Sequence, residues 1–376
     1  MVQFPLSLAF TSPLRFAAVA IETPAAAVAL SFALDLAVVE PPERVHPVAW
    51  FGRLVGAVDR NWSFFSPGLG GGVAALALPL STAAVVAGGV LAAGRVRPVA
   101  ATALAGVALF STTSLRMLVG VADEVIEQSG PNTERARERM RALAGRDPAE
   151  LSPAQIRSAA TESAAENLAD GLVAPLSGFV LVGTGAVALG VGTTAAMAGG
   201  AGAAAWVKAV NTMDSMLGYP HEPTGTASAR LDDLVMWVPA RTSAVLIAIS
   251  ATSPRALVRA RGWAGTPASP NSGWPMATLA AAIGVSLEKP GAYAIEAGDA
   301  LPSPAEAGRG VRVVAVAGGL AYLLAVAVAA APSVVAVASP PSMVGVAGVA
   351  GAVGVAGVPG VASVAGVAIR RGGIGP

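Results

Sequence analysis

Three short runs hold most of the reactive side chains of an otherwise apolar chain: Thr161-Glu-Ser-Ala-Ala-Glu-Asn-Leu-Ala-Asp-Gly171, Lys208-Ala-Val-Asn-Thr-Met-Asp-Ser-Met-Leu-Gly-Tyr219 and Ser228-Ala-Arg-Leu-Asp-Asp233. Glu162, Glu166 and Asp170 recur at i, i+4 and i+8, which places them on one stripe of a helix. Like charges at that spacing repel by a few tenths of a kcal/mol per pair, so the stripe reads either as a cation site or as a solvated acidic face. Carboxylate oxygens are what magnesium takes, usually one or two of them with waters and substrate phosphates. In the second run, Lys208, Asn211 and Ser215 share a face with Asp214 at its edge. An ammonium there holds phosphate as a point charge or reaches up to a membrane interface. In the third, Arg230, Asp233, Trp237 and Arg241 repeat at i, i+3, i+7 and i+11, so two guanidiniums flank an acid, as part of a site or as a charge ladder at a bilayer edge.

The surroundings are those of a membrane protein. The chain of 376 residues is 54% hydrophobic and 12% charged, against roughly 25% charged for ordinary soluble domains. Buried ionisable groups in such a chain are costly without partners. A net charge of +1, with no basic stripe interleaved with aromatics, sets nucleic-acid binding aside. The absence of cysteine excludes disulfides, thiolate metal sites and cysteine nucleophiles. Residues 1–22, with Pro5, Pro13 and Arg15, lack a signal-peptide layout and read as an N-terminal extension.

Apolar runs approaching the ~20 residues of a spanning helix lie at about 24–39, 73–93, 99–121, 172–206, 234–253, 312–331 and 343–369. Polar loops at 40–67, 122–171, 207–233 and 254–311 separate them. Glu134-Arg-Ala-Arg-Glu-Arg-Met-Arg141 reads as a solvated surface helix. Ser152-Pro153 has the layout of a helix start, with Pro at the first helical position, so a helix beginning there carries Glu162, Glu166 and Asp170. The run 172–206 is long for one span and short for two. As a hairpin it returns the chain to the side it left and brings these acids near Lys208, Asn211 and Asp214. Arginines crowd 122–171 and 254–312, which places both loops in the cytoplasm and requires an even number of crossings between them. Either 172–206 crosses once, or 234–253, interrupted by Pro239 and Arg241, does not cross fully. The expected fold is all-α: a polytopic membrane helical bundle with a hairpin or re-entrant segment and polar cytoplasmic loops. Residues 23–335 form its body. The Gly/Val/Ala repeat of 336–376 reads as a further, small-residue transmembrane helix.

Two loops are dense in turn formers: Asp35-(x)4-Glu40-Pro-Pro-(x)3-His46-Pro47, and Ser269-Pro-Asn-Ser-Gly-Trp-Pro275 with Glu288-Lys-Pro-Gly-Ala-Tyr293 behind it. His46 has no second metal ligand spaced near it, and neither does His221. There is no phosphate loop, dinucleotide-binding glycine fingerprint, G-x-S-x-G elbow or H-E-x-x-H, so nucleotide chemistry needs a site of another kind.

In this order, these motifs resemble the adenosylcobinamide-phosphate synthase family of cobalamin biosynthesis, the CobD/CbiB group. The likeness runs from about Ala33 to Tyr293 and includes Gly145 to Asp147, Glu162 to Leu176 and Pro239 to Arg241. It implies an enzyme that joins adenosylcobyric acid to (R)-1-aminopropan-2-yl phosphate, or to ethanolamine phosphate, through an ATP-dependent amide bond. On that likeness Glu162, Glu166, Asp170, Lys208 and Asp214 are the catalytic set. His46, Asn167, Asn211, Ser228, Arg230, Asp232, Asp233, Arg241 and Asn271 bind substrate. Magnesium lies on Glu166 and Asp214, with ATP as co-substrate, and Lys208, Arg230 and Arg241 neutralise the moving phosphoryl group. The bilayer and other corrin-pathway enzymes are the implied partners, and the site faces the cytoplasm. Glu40 stands where the family commonly has Asp, Met236 and Met276 where it has Asn and Glu, the loop from Tyr219 to Ser228 is short and 172–206 is long. The competing classes are a membrane transporter, for which broken helices would also serve, and a non-catalytic scaffold of the corrin pathway. Transport calls for internal symmetry, and the two halves show no repeat.

Overall fold

Helices account for about four fifths of the residues described in the computed structural model, which are 21–38, 43–59, 67–141, 143, 149–218 and 224–338. Glu40, the Gly145–Asp147 motif, Tyr219, His221, residues 1–20 of the N-terminal extension and residues 339–376 of the Gly/Val/Ala repeat lie outside the described residues.

The helices are α1 (Pro24–Ala37), α2 (Pro47–Asp59), α3 (Pro67–Val96), α4 (Pro98–Phe110), α5 (Leu115–Gln128), α6 (Thr133–Met140) and α7 (Pro153–Leu168). A π-helical turn, Ala169–Val173, leads from α7 into α8 (Ala174–Ala188), and α9 (Thr193–Leu217) returns alongside it. Then come α10 (Thr226–Val235), α11 (Trp237–Ser250), α12 (Pro254–Ala260), α13 (Gly273–Ile283), a hairpin of β1 (Leu287–Lys289) and β2 (Tyr293–Ile295), and α14 (Pro304–Ala338). Residues up to Ser333 form one compact unit.

Among the described residues four helical stretches are long and apolar enough to cross a membrane: Gly68–Val96, Pro98–Gln128, Pro153–Ala188 and Pro304–Pro332. The pair α10 and α11 makes a fifth if its 47° bend is one broken span. The protein is thus an all-α polytopic membrane protein. Two of these stretches run past the apolar limits read from the sequence. The span expected at 99–121 continues through α5 to Gln128, and the apolar run starting at 172 is the second half of a helix that begins at Pro153. Polar residues inside the bundle are carried there by helices that bury them against partners, which hydropathy along the chain does not register. The run 24–39 yields the 14-residue α1.

The hairpin expected within 172–206 is present, and its turn has a local cause. Gly190 takes φ +80, a left-handed conformation that costs glycine nothing. Val191 N–H then donates to the Ala186 carbonyl and Gly190 N–H to Val187, the pairing that closes a helix through a left-handed residue. Alanine and glycine along α9 let it pack closely on α3 and α8. At its other end α7 starts as the sequence predicts, with Ser152 and Gln155 capping each other's backbone.

Asp35, from the first turn-rich loop motif, is buried at 3% exposure and caps α5: it accepts from the N–H groups of Leu115 at 3.0 Å and Arg116 at 3.2 Å. A carboxylate at a helix N-terminus satisfies orphan donors and the helix dipole together. Beside it Tyr322 stacks on Phe32 and donates to Thr113, fixing the break between α4 and α5, where Ser114 N–H also bonds the Gly171 carbonyl of the π turn. At one end of the bundle, Arg157 donates to the Pro302 carbonyl at 2.8 Å and Arg259 to that of Ala297 at 2.7 Å. The Arg157 bond joins the two arginine-rich segments, and the Arg259 bond closes the second on itself.

Candidate functional site

A cavity of about 500 Å³ opens where α7, α9, the loop before α13 and the β hairpin come together. Glu166 and Asn167 reach it from the last turn of α7, and Asp170 from the π turn that follows. Asn211, Asp214 and Ser215 reach it from the C-terminal end of α9. The hairpin of α8 and α9 is what sets these two polar segments face to face, as the sequence predicts. Pro267, Ala268, Ser269 and Ser272 form the third wall, and Lys289, Ala292 and Tyr293 the fourth.

The acidic stripe divides. Glu166 and Asp170 line the cavity, whereas Glu162, at 1% exposure, lies behind the wall. Its two oxygens accept from Ser158 Oγ at 3.0 Å and Tyr293 Oη at 3.0 Å, so it secures the hairpin to α7. Between Glu166 and Asp170 the backbone changes from α- to π-helical bonding, with Ala174 N–H reaching Ala169. Such a turn is frequent at functional sites.

A second polar layer stands on α10, whose buried face carries Ser228 at 2% exposure and, one turn on, Asp232 at 8%. Among the described residues Ser228 Oγ and Asp232 Oδ1 have no hydrogen-bond partner. Asp232 acts electrostatically on Asp170 and feels Asp214, Asp233 and the Lys208 ammonium, with the Asn211 amide beside both it and Asp170. Asp214 lies beyond the apolar tract, at the polar end of α9. Burial, and then the nearby Asp233 charge, push its carboxyl up to about 6.

Lys208 stands apart from the polar cavity. It lines a neighbouring apolar one of about 300 Å³ with Pro47, Phe51 and Thr212, while its charge acts on His46, Asp170 and Asp232. His46 accepts from Val48 N–H through Nδ1 at 3.2 Å. Burial, and then Lys208, hold its pKa below the ordinary imidazole value, so it is neutral at pH 7. Arg230 is exposed on α10 and does not line the polar cavity.

The ladder of Arg230, Asp233 and Arg241 expected from spacing is not formed, because the chain bends by 47° at Met236 between α10 and α11. Arg241 instead lies over Trp237 at 4.2 Å and Trp274 at 5.2 Å, and donates to Asn271 Oδ1 at 3.1 Å and the Trp237 carbonyl at 2.7 Å. Asn271 in turn donates to the Asp233 carbonyl at 2.7 Å, and Ser269 to the Asp233 carboxylate at 3.4 Å. Arg241 and Asn271 thereby hold the loop whose Ser269 and Ser272 face the cavity.

Spacing along single helices singled out none of Ser163, Ser269, Ser272, Lys289 and Tyr293 as site residues, though all line the cavity; Ser215, placed by spacing on the face of Asn211, lines it too. Rarity was a usable signal for one of them: Lys289 and Lys208 are the only two lysines in the chain. Among the described residues no three His, Asp or Glu side chains converge to hold a metal ion, so a cation here would be held by two carboxylates with oxygens from waters or substrate. Glu166 and Asp214, on facing walls, are such a pair.

Comparison with known proteins agrees with this architecture. The family model described as CobD/Cbib protein matches residues 28–314. The chain is 34% identical over 282 residues to the cobalamin biosynthesis protein CbiB of Salmonella typhimurium, covering 70% of this chain and 82% of that one. It is 36% identical over 279 residues to the cobalamin biosynthesis protein CobD of Klebsiella pneumoniae, covering 70% and 82%. To a probable CobD of Methanothrix thermoacetophila it is 34% identical over 281 residues, covering 71% and 84%. No solved structure matches. A family match over most of the chain, with relatives above 30% identity spanning the same residues, places this protein in the CobD/CbiB family.

Proposed function

We propose that this protein works in cobalamin biosynthesis as a membrane ligase, joining adenosylcobyric acid to (R)-1-aminopropan-2-yl phosphate or ethanolamine phosphate at the expense of ATP, to give adenosylcobinamide phosphate. The observation that carries this reading is the convergence of Glu166, Asp170, Asn211 and Asp214 from two limbs of one hairpin onto a cavity of about 500 Å³. Its relatives are named as cobalamin biosynthesis proteins.

The chemistry suits such a cavity. A carboxylate becomes reactive once its oxygen takes a phosphoryl group from ATP, with release of ADP. Attack of the amine on that acyl phosphate forms the amide and expels phosphate. Every reactant except the ammonium is an anion, so three carboxylates in the walls need a cation between themselves and the phosphates. Glu166 and Asp214 would hold magnesium in the way it prefers, with one or two carboxylates and the remaining places left to water and phosphate. The ion would neutralise charge on the moving phosphoryl group. The amine arrives as an ammonium and must lose a proton before it attacks. Asp170 is placed to draw the ammonium in and accept that proton, while Asn211 orients it. On this reading the cavity faces the cytoplasm, where ATP is, in keeping with the arginine-rich loops read as cytoplasmic from the sequence.

The test is turnover by the detergent-purified protein. Adenosylcobyric acid, aminopropanol phosphate and magnesium-ATP should yield adenosylcobinamide phosphate together with ADP. Absence of that product with a folded protein, or its formation without ATP, would overturn the proposal.

A further inference from the structure

We infer that Lys289 is the phosphate-binding group of the polar cavity. The inference rests on the reading that the cavity takes phosphate-bearing substrates, and it supplies a residue that the motif likeness did not assign.

Among the described residues, the cavity is lined by three carboxylates and one cationic side chain, Lys289. The three cations expected to meet phosphate do not line this cavity: Arg230 is exposed on α10 outside it, and the other two are engaged elsewhere. Lys208 sits in the adjoining apolar cavity beside His46 and offsets Asp170 and Asp232, and Arg241 is stacked on Trp237 and Trp274. The Lys289 ammonium has neither an ion pair nor a hydrogen bond among the described residues. A cation left uncommitted at the rim of an acidic cavity is suited to an anionic ligand, and a lysine grips phosphate as a compact point charge.

The backbone beneath it is held firmly. Lys289, Pro290, Gly291 and Ala292 form a tight turn: proline sets the first corner, Gly291 takes φ +73 at the second, and Ala292 N–H closes on the Lys289 carbonyl at 2.9 Å. On one side of the turn Glu288 N–H donates to Ser158 Oγ at 2.7 Å, and on the other Tyr293 Oη donates to Glu162 at 3.0 Å. Both anchors lie on α7, the helix that carries Glu166. The ammonium is therefore presented on a fixed arm rather than on a free loop. Ser272, at the start of α13, uses its hydroxyl in no cap bond and faces the same cavity, so a phosphate there would meet a hydroxyl donor as well as the ammonium.

The phosphate belongs either to the aminoalcohol substrate or to the nucleotide, and calorimetric binding to the full-length protein in detergent separates them. The ligands are ethanolamine phosphate, ethanolamine, and a non-hydrolysable ATP analogue with magnesium. In the wild type, ethanolamine phosphate should bind more tightly than ethanolamine. In Lys289→Ala, affinity for one phosphate ligand should fall at least tenfold, ~1.4 kcal/mol, while ethanolamine is unaffected. The ligand that weakens identifies the phosphate. Lys289→Arg, which keeps the charge, should recover most of the loss, and unchanged melting temperatures would exclude a folding effect. If Lys289→Ala binds both phosphate ligands as the wild type does, the assignment to Lys289 is overturned and the proposed reaction stands. If the wild type itself binds neither, the reading of the cavity fails and this inference with it.

Discussion

The Tyr293 hydroxyl donates to Glu162 Oε2 at 3.0 Å, joining residues 131 positions apart. Glu162 is nearly inaccessible, and Tyr293 lines the cavity, so the bond makes the fourth wall continuous with the first. Removing one partner of a buried hydrogen bond costs about 1–3 kcal/mol. Tyr293→Phe and Glu162→Leu should each lower the melting temperature in detergent, and the double variant should lose less than the two combined, because the second change removes a bond already lost. Full additivity would show that the two residues act separately.

Glu166→Ala and Asp214→Ala should abolish ligation while the protein remains folded in the membrane, since the proposed magnesium site has two protein ligands and each substitution removes one. The check is product formation across a magnesium titration. Near-wild-type activity of Glu166→Ala at limiting magnesium would move the metal elsewhere.

Asp214 gives the reaction an acid limb. With its carboxyl pushed up to about 6 by burial and by Asp233, it loses the ionised form that a cation requires as pH falls through 6. Activity at fixed magnesium should decline there. Asp233→Asn removes a neighbouring negative charge and so should move the limb to lower pH. In metal-free protein the sign for stability is opposite to that of an ion-paired carboxylate. The folded state holds this proton more tightly than the unfolded chain, so the contribution of Asp214 to stability is fully present below about pH 4 and is lost as pH rises through 6. Asp214→Asn should flatten that part of the melting profile.

Lys208→Met would leave Asp170 and Asp232 without the ammonium whose charge offsets theirs, and buried acids without an offsetting charge are costly. The variant should express poorly or melt early. Adding Asp232→Asn should restore most of the stability by removing the charge left exposed to burial. A stable Lys208→Met protein would return this lysine to the role of an interface anchor.

The absence of cysteine makes topology directly measurable. Arg135→Cys, on the exposed face of α6, should react with a membrane-impermeant maleimide only after cells are opened. Labelling of intact cells would invert the proposed orientation.

How much of this was legible beforehand follows the range of the forces involved. The start of α7 at Ser152-Pro153 and the length of the apolar run that folds as the hairpin of α8 and α9 depend on neighbouring residues, so their signals were readable in order along the chain. The hairpin alone was enough to predict that Glu166 and Asp170 meet Asn211 and Asp214. Helix spacing also correctly put Glu162 on a stripe with its neighbours, but exposure of that stripe changes along its length. Which part faces a cavity depends on what packs against it.

The sequence by itself therefore determined the membrane setting, the helical class and the two acidic walls, because hydropathy and helical period are local properties of the chain. Only the tertiary structure decided that Asp35 caps α5, that Lys208 turns toward an apolar cavity, that the bend at Met236 separates Arg241 from the Arg230 face, and that Lys289 stands over the acids. Each of these is a contact between segments far apart in the chain, or the outcome of a bend that redirects everything beyond it. Periodicity within one helix cannot carry that information, since it is fixed by how helices pack.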